Sequence, residues 1–325
     1  MLIENFEDKK EHESICIIKN KRPNIILLIM EGIGSNAIES LNGAVGATPN
    51  IDKLIGEGVF FNNFYANSFR TDRGLMSILG AYPAQPTTSI MKFPQKTESI
   101  MSIPAKLKEN GYNLSFYYGG DANFTDTRAF LYATGFQEVA DDSVIKIKGH
   151  RSKWGYADDA LLDYAAEQIL RRIDEQKQPS FETILTLSSH EPYIVPYKRL
   201  NDVRLNSFAF ADAAIGSFIE KLRSSEHWDN MLVILLPDHG TPYPVKIGGS
   251  TPLRHHIPML WLGGAIRESF VFDEYMAQTD LVATLLAQLD IPHDNFVFSR
   301  NAASAATSHF GYWTFSNGWG IINKE

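Results

Sequence analysis

The sequence contains a single cysteine, Cys16, among its 325 residues. One thiol cannot form an internal disulfide, and it cannot supply the several sulfur ligands of a thiolate metal cluster. Basic residues are in the minority, because 30 lysines and arginines face 38 aspartates and glutamates and give a formal net charge of −8. A chain of this charge has no general attraction to nucleic acid, so we expect no nucleic-acid partner.

Long apolar runs are also missing. No uninterrupted run is longer than that of residues 25–30, "IILLIM", which is far too short to cross a bilayer. The first residues, "MLIENFEDKKEHES", are charged and lack the pattern of a secretory signal peptide. The chain as given is therefore expected to be soluble.

Apolar strand-like runs alternate with amphipathic helix-like segments along most of the chain. Residues 23–31 and 230–238 are typical of buried strands, and residues 156–176 and 208–225 are typical of helices. This alternation predicts an α/β fold with a largely parallel central sheet and helices on both faces.

The texture of the sequence changes after Pro292, where the chain becomes aromatic, polar and rich in glycine. Such a segment favours short antiparallel strands. We therefore predict three parts: an N-terminal extension over residues 1–21, a main domain over residues 22–292 and a small C-terminal β subdomain over residues 293–325.

Polar side chains follow several of the predicted strands. Glu31 ends the first strand, Asp238 and His239 follow the run "VILLP", and His190 follows the run before "SSHEPY". Thr71 lies at a predicted helix start, where Thr71 or Asp72 is expected to be the N-cap. Ligands of open α/β sheets bind at the carboxyl ends of the strands, so one sheet edge would gather these groups.

Three oxygens and one imidazole, from Glu31, Thr71, Asp238 and His239, form a donor set that suits manganese, magnesium or zinc. A divalent cation would lower the pKa of the Thr71 hydroxyl, as it does for bound water. Thr71 could then attack phosphorus and form a covalent intermediate.

Each of these residues also has a simpler interpretation when it is considered alone. A glutamate after a strand is commonly a cap or a solvated charge, and a threonine before a helix is commonly an N-cap. An Asp-His-Gly sequence can belong to an ordinary loop, and His190 could hydrogen-bond to its own loop. The combination favours a site, because all the positions fall at one edge of the same predicted sheet.

Several sequence segments resemble a known family in the order in which they occur: "PNIILLIMEGIGS", "TPNIDKLIGEGVFFNNFYAN", "TDRGLMSILGAYP", "LTLSSHEPY" and "LLPDHG". Together they are similar to the sulfatase-like branch of the alkaline phosphatase superfamily. Within that branch, the closest similarity is to the extracellular domain of the lipoteichoic acid synthases and related phosphoglycerol transferases.

The resemblance implies a function and a set of roles. Glu31, Asp238 and His239 match metal ligands, Thr71 matches a ligand that is also the nucleophile, and His190 matches a histidine that contacts the phosphoryl group or assists proton transfer. The implied cofactor is one divalent cation, first of all Mn²⁺, with Mg²⁺ or Zn²⁺ as alternatives. The implied reaction moves a glycerol phosphate group from an anionic phospholipid to a glycan or lipid acceptor, through a phosphothreonine. The implied location is the outer face of the cytoplasmic membrane, with membrane anchoring in the full-length protein.

The chain departs from the pattern of that family at the expected head-group site. A tryptophan and an arginine are expected near "GGDANFTDTRAFLYATGF", which contains no tryptophan and offers only Arg128, about one residue away from the expected spacing. His255 and His256 precede another strand, where they could bind substrate or a second metal, or could simply hydrogen-bond to backbone within the core.

Three alternatives to the phosphotransferase remain open in the sequence. A formylglycine sulfatase needs a Cys or Ser precursor followed by proline, and residues 71–75, "TDRGL", contain neither. A two-metal phosphodiesterase would need further Asp and His ligands, and a non-catalytic binder of anionic glycans or lipid head groups would not need Thr71. Transfer or hydrolysis as the outcome, and the oligomeric state, are likewise not decided by the sequence.

Overall fold

The computed structural model describes residues 14–325. Of the predicted N-terminal extension, residues 1–21, the part up to residue 13 lies outside the described residues. Its last part packs on the rest of the chain, because Ile17 and Ile18 are fully buried and Ile18 forms a β-bridge with Ile266.

The helices and strands of the described residues alternate over most of the chain. The strands are β1 (Asn24–Met30), β2 (Val59–Phe61), β3 (Phe64–Tyr65), β4 (Asn113–Tyr118), β5 (Glu138–Ala140), β6 (Arg151–Ser152), β7 (Gly155–Tyr156), β8 (Ser180–Leu185), β9 (Met231–Pro237), β10 (Met259–Leu262), β11 (Phe270–Phe272), β12 (Met276–Ala277), β13 (Gly311–Phe315) and β14 (Gly318–Ile322). The α-helices are α1 (Pro49–Ile55), α2 (Thr71–Gly80), α3 (Pro94–Thr97), α4 (Ile103–Glu109), α5 (Thr127–Ala133), α6 (Asp158–Glu175), α7 (Val203–Arg223), α8 (Pro252–His255) and α9 (Asp280–Gln288).

The central sheet has eight strands in the order β11-β2-β10-β9-β1-β8-β4-β5. Strands β9, β1, β8, β4 and β5 are parallel to one another, whereas β10 runs antiparallel to both β9 and β2. The predicted fold class is therefore confirmed, including the small C-terminal antiparallel element, which is the hairpin of β13 and β14.

Strand β1 shows why the sheet is covered on both faces. All seven residues of the strand are buried, and successive side chains enter two different hydrophobic clusters. Ile25 and Leu27 join the cluster that contains the buried residues of α2, α4 and α9, while Ile26 and Leu28 join the cluster of α6 and α7. Because side chains alternate across a strand, a continuous apolar run fits a strand buried on both faces.

The strand register fixes where the polar residues after the strands lie. Met30 of β1 is paired with Pro237 of β9, so that Glu31 and Asp238 leave the sheet side by side. Ile29 is also paired with Leu185, the last residue of β8. Within residues 14–325, the structure contains no helix with the length and apolarity needed to span a membrane.

Candidate active site

Three side chains with metal-binding atoms meet at the carboxyl ends of β1 and β9. One donor atom from each of Glu31, Asp238 and His239 lies within 4.8 Å of the other two. His239 Nε2 is 3.5 Å from Glu31 Oε1 and 3.6 Å from Asp238 Oδ2. The structure thus brings together three of the residues that the sequence predicted as ligands.

Asp238 is fully buried, and its two oxygens have different surroundings. Oδ1 accepts hydrogen bonds from the backbone N–H groups of Gly32 and His239, both at 2.8 Å. No hydrogen-bond donor among the described residues reaches Oδ2. A buried carboxylate oxygen without a partner is costly, and a cation is the partner that relieves this cost best.

Glu31 is buried beside Asp238, and this surrounding changes its acidity. Burial raises the pKa of Glu31 well above its usual value, and the nearby negative charge of Asp238 raises it further. The two carboxylates therefore repel each other when both are ionised. A divalent cation between them would remove this repulsion, so the residues present fit a metal site.

The imidazole of His239 is oriented toward these carboxylates by its own loop. Its Nδ1 donates a hydrogen bond of 3.0 Å to the carbonyl oxygen of Gly240. Because a carbonyl oxygen can only accept, this bond places the proton on Nδ1 and leaves a lone pair on Nε2. Neutral imidazole with a free Nε2 is a common ligand of divalent metals.

Thr71 is the first residue of helix α2 and reaches the same carboxylates. Its Oγ1 donates a hydrogen bond of 3.0 Å to Glu31 Oε2. The helix can approach this closely because of Gly74, where an added Cβ would lie only 2.2 Å from the carbonyl oxygen of Asp238. The N-cap prediction for Thr71 or Asp72 is wrong: the N-cap is Arg70, and no side chain caps the helix, because the Thr71 hydroxyl bonds to Glu31.

A cavity of about 390 Å³ opens over Thr71, Glu31 and His239. His190 lines it, and its Nδ1 donates to the Glu191 carbonyl oxygen at 2.8 Å, which leaves Nε2 as the basic nitrogen of this ring. The ring of Trp154 stands edge-on to that of His190, at a centroid distance of 5.1 Å. The polar and aromatic residues of the cavity wall include Arg70, Asp72, Tyr118, Asp121, Phe124, Trp154, Glu191, Tyr193, Arg204, Thr241 and Arg254.

Arg128, which the sequence predicted to contact substrate, lies elsewhere. Its Nη2 binds the buried carboxylate of Asp141, and its Nε donates to Asn123 Oδ1 at 2.9 Å. Arg128 is not part of the cavity wall, although Thr125 and Thr127 are. The structure thus places Arg128, in the first turn of α5, outside the cavity, because its guanidinium binds Asp141 and Asn123 instead.

His255 and His256 also lie outside the cavity wall. His255 Nε2 donates to the Gly249 carbonyl oxygen at 2.8 Å, and its ring stacks on Trp313. His256 Nε2 donates to the carbonyl oxygen of Asn62 at 2.6 Å. The structure thus shows the simpler interpretation of both residues, as histidines that bond to backbone within the protein interior.

The burial of His255 predicts a loss of stability in acid. Burial lowers the pKa of His255 from 6.5 to about 4, so the folded protein resists a proton that the unfolded chain accepts. The contribution of His255 to stability is therefore full above pH 6.5 and falls by about 3 kcal/mol as the pH decreases toward 4. We expect His255→Gln, which cannot take up that proton, to make this fall smaller in urea unfolding experiments at several pH values.

Part of the acid sensitivity should remain in that variant, because burial also lowers the pKa of His256 and of His309. The matched control is His227→Gln, which changes a partly exposed histidine paired with Asp174. A pH dependence of unfolding that is the same in both variants would contradict the assignment to His255.

Some residues of the cavity wall were missed in the sequence. We expected a tryptophan near residues 119–136, whereas the tryptophan that lines the cavity is Trp154, in the turn between β6 and β7. Arg204 comes from the first turn of α7, and Arg254 comes from α8. None of these residues ends a strand of the central sheet, so the strand-end argument could not find them.

One family model matches most of the chain. The family model described as Sulfatase matches residues 23–291. This range includes β1 through α9 and every residue of the site described above.

Curated relatives match over most of this chain. "Phosphoglycerol transferase I" of Xanthomonas campestris pv. campestris (strain B100) is 26% identical over 305 residues, which cover 86% of this chain and 43% of that protein. "Lipoteichoic acid synthase-like YvgJ" of Bacillus subtilis (strain 168) is 22% identical over 233 residues, which cover 67% of this chain and 37% of that protein. The chain thus spans about two-fifths of the length of the curated relatives that it matches.

Solved structures share the fold. A protein in the alkaline phosphatase superfamily from Vibrio parahaemolyticus superposes with a TM-score of 0.88 at 25% identity, covering 100% of this chain and 83% of that chain. The lipoteichoic acid synthase LtaP from Listeria monocytogenes gives 0.82 at 17% identity, covering 93% and 82%. The C-terminal periplasmic domain of EcEptC from Escherichia coli, in complex with Zn, gives 0.69 at 16% identity, covering 94% and 93%.

Proposed function

Because this chain belongs to the sulfatase family, we propose that it is a metal-dependent phosphotransferase that moves a phosphoglycerol-type group from a phospholipid to a glycan or lipid acceptor. The observation that carries the proposal is the hydrogen bond from Thr71 Oγ1 to Glu31, at the edge of a buried cluster of two carboxylates and one imidazole. The relatives named phosphoglycerol transferase and lipoteichoic acid synthase-like support this choice of reaction.

Glu31, Asp238, His239 and Thr71 are the residues that would hold the cation. Mn²⁺ is our first choice, and the mixed set of oxygen and nitrogen donors also suits Mg²⁺ or Zn²⁺. The zinc complex of the EcEptC domain supports a divalent ion in this fold. When bound, the cation would offset negative charge and lower the pKa of the Thr71 hydroxyl.

Thr71 is the nucleophile in the proposed reaction. Its Oγ1 forms a bond to phosphorus while the bond between phosphorus and the leaving alcohol breaks, and the hydroxyl proton passes to Glu31 Oε2, which is 3.0 Å away. His190 protonates the leaving alcohol. An acceptor alcohol then gives its proton to His190 and attacks the phosphothreonine, and Thr71 recovers its proton from Glu31.

The alternatives receive less support from the described residues. Thr71 stands where a formylglycine sulfatase would need Cys or Ser, so sulfate-ester cleavage by that route is not proposed. Two further groups of three potential ligands lie within residues 14–325, Asp174–Glu226–His227 and Asp121–Asp141–Asp142, and neither includes a residue of the Glu31 cluster. This separation favours a site with one metal ion over the two-metal site of a hydrolase. The intact nucleophile favours an enzyme over a non-catalytic binder.

The proposed substrate and location follow from the same comparisons. An anionic phospholipid donor requires contact with a membrane, and the EcEptC neighbour is a periplasmic domain. We therefore propose that this domain acts outside the cytoplasmic membrane, attached to it in a longer protein. We also keep, as a proposal, the division into a catalytic domain over residues 22–292 and a small β subdomain after it.

The experiment that tests this function is an assay of lipid products. With phosphatidylglycerol and Mn²⁺, the protein should release diacylglycerol, because the phosphoglycerol group moves to Thr71. Chelation of the metal should stop the release, and added Mn²⁺ should restore it. Absence of diacylglycerol with phosphatidylglycerol and related phospholipids, or release that survives chelation, would contradict the proposal.

The variant His190→Gln makes the same assay more specific. Without its acid, the reaction that expels an aliphatic alcohol should be slower by about 10²-fold or more. A phosphodiester with a p-nitrophenyl leaving group should be far less affected, since that group departs without a proton. Equal slowing of both substrates would assign His190 to substrate binding instead of proton transfer.

A further inference from the structure

Asp158, the first residue of helix α6, is fully buried and contacts the loop that carries His190. Its Oδ1 accepts hydrogen bonds from the backbone N–H groups of Leu187 at 2.7 Å and Ser188 at 3.1 Å, and its Oδ2 accepts from Ser188 at 3.2 Å. The N–H group of Asp158 donates in return to Ser188 Oγ at 2.8 Å. Because hydrogen bonds to a charged acceptor are stronger than neutral ones, this contact fixes the start of the loop.

The carboxylate of Asp158 is bonded to this loop and not to its own helix. Among the described residues, all the groups that donate to it belong to Leu187 and Ser188. The next residue, Asp159, behaves differently, because it is exposed and accepts from the N–H group of Ala160 in the same helix. Burial of a carboxylate is costly, and at Asp158 the bonds that offset this cost all come from one loop. The residue therefore acts on the position of that loop.

A short turn connects this contact to His190. The N–H group of His190 donates to the carbonyl oxygen of Leu187 at 3.0 Å, so both backbone groups of Leu187 are bonded. His190 Nδ1 and Trp154 Nε1 each donate to the carbonyl oxygen of Glu191 at 2.8 Å. The segment from Trp154 to Asp158 therefore contacts the loop on both sides of His190.

The same loop is also bonded to the backbone of Glu31. Thr186 Oγ1 accepts from the N–H group of Glu31 at 2.9 Å, and Ser189 Oγ donates to the carbonyl oxygen of Glu31 at 2.5 Å. The loop therefore connects Asp158 with the Glu31 cluster. A displacement of the loop would change the position of His190 relative to the phosphorus that Thr71 attacks in the proposed reaction.

We propose that Asp158 is a positioning residue for His190, because it holds the loop of residues 187–191 so that the imidazole stays within reach of the leaving alcohol. This inference rests on the proposed function, in which His190 protonates that alcohol. Asp158 itself is not part of the cavity wall and exchanges no proton with the substrate. Proton transfer needs hydrogen-bond distance, so a shift of the loop by about 1 Å would slow the step that uses this acid.

The test compares two leaving groups in Asp158→Ala, which removes all three of the accepted hydrogen bonds. Release of diacylglycerol from phosphatidylglycerol with Mn²⁺ should be slower by about tenfold or more, since the aliphatic alcohol needs the acid. Cleavage of a phosphodiester with a p-nitrophenyl leaving group should stay within about twofold of the wild-type rate, since that group departs without a proton. Asp158→Asn, which keeps one oxygen acceptor, should show an intermediate slowing, so the test does not depend on the folding of one variant.

A double variant shows whether Asp158 acts through His190. The acid is already missing in His190→Gln, so the addition of Asp158→Ala should slow diacylglycerol release by no more than about twofold. The matched control is Asp159→Ala, the same substitution one residue further along the same helix turn. This control should leave the rates with both substrates unchanged.

Hydrogen exchange measures the order of the loop without any turnover. In Asp158→Ala, the amide groups of Leu187 and Ser188 should exchange faster by about tenfold or more, because their acceptor is gone. The amide groups of strand β1 should keep their protection, which shows that the fold is intact. Asp159→Ala should retain the wild-type pattern throughout.

Three results would overturn the inference. Equal slowing of both substrates in Asp158→Ala would show that the residue supports the whole site and not the acid. A further tenfold slowing when Asp158→Ala is added to His190→Gln would show that Asp158 acts independently of His190. Unchanged exchange at Leu187 and Ser188 would show that Asp158 does not hold the loop. Failure of the proposed function is seen separately, as absence of diacylglycerol release by the wild-type protein.

Discussion

Replacement of Thr71 by alanine is expected to lower the rate of diacylglycerol release by at least about 10³-fold, because the reaction loses its nucleophile. The fold should be unaffected. The Thr71 side chain does not cap α2, and its Oγ1 hydrogen bond goes to Glu31, so only that contact is lost. The measurement is the rate of release in the presence of Mn²⁺, together with the melting temperature of the variant.

The control for this variant is Thr71→Ser, which retains a hydroxyl at the same position. We expect it to keep measurable activity, above that of the alanine variant by an order of magnitude or more. An alanine variant that retains more than about a tenth of the wild-type rate would show that another group attacks phosphorus.

Replacement of Asp238 by asparagine is expected to abolish metal binding while leaving the metal-free protein at least as stable. The amide oxygen can still accept from Gly32 and His239, whereas its NH₂ group faces the cluster in place of the unpartnered Oδ2. Burial is the main cause of the raised pKa of Glu31, and removal of the Asp238 charge ends the repulsion that raises it further. The metal-free variant should therefore gain about 1 kcal/mol in the free energy of unfolding.

The measurement for Asp238→Asn is thermal unfolding with and without Mn²⁺, compared with that of the wild-type protein. Wild-type protein should gain about 3 kcal/mol in stability when Mn²⁺ is present at a hundred times its dissociation constant, and the variant should gain nothing. Asp174→Asn, within the exposed group Asp174–Glu226–His227, is the matched control and should retain the full response to Mn²⁺. If Mn²⁺ stabilised Asp238→Asn as much as the wild-type protein, the cation would have to bind outside this cluster.

The central sheet was predictable because strands that are buried on both faces appear in the sequence as continuous apolar runs. Strand β9 is apolar at every position, and β1 is apolar at every position after Asn24, which is the pattern of a strand covered on both sides. The direction of β10 was not predictable, since an apolar run of four residues is the same whether the strand runs parallel or antiparallel. The predicted family and the prediction of an enzyme within it are confirmed by the match over residues 23–291.

The candidate ligands could be found because they follow the strands directly. Parallel neighbours end at the same edge of the sheet, so Glu31 and Asp238 had to come together once β1 and β9 were paired. Thr71 is different: its helix reaches the cluster only because Gly74 permits close contact with the backbone of Asp238. A contact of that kind depends on three-dimensional packing and leaves no pattern in the neighbouring sequence.

The residues around the substrate were the least predictable. Arg128 lies in the first turn of α5, after β4, and is not part of the cavity wall, because its guanidinium binds the buried carboxylate of Asp141. Arg204 and Arg254 lie in helices, far apart in the chain, and only the loop after His239 joins them. A long side chain can reach several partners, and the sequence does not show which of them it contacts.

The most direct test of the proposed chemistry is the mass of the peptide that contains Thr71 after incubation with Mn²⁺ and phosphatidylglycerol. We predict that this peptide gains one glycerol phosphate group, attached to Thr71, and that the gain disappears in Asp238→Asn. An unmodified Thr71 peptide in protein that is releasing diacylglycerol, or a glycerol phosphate attached to a different residue, would contradict the account.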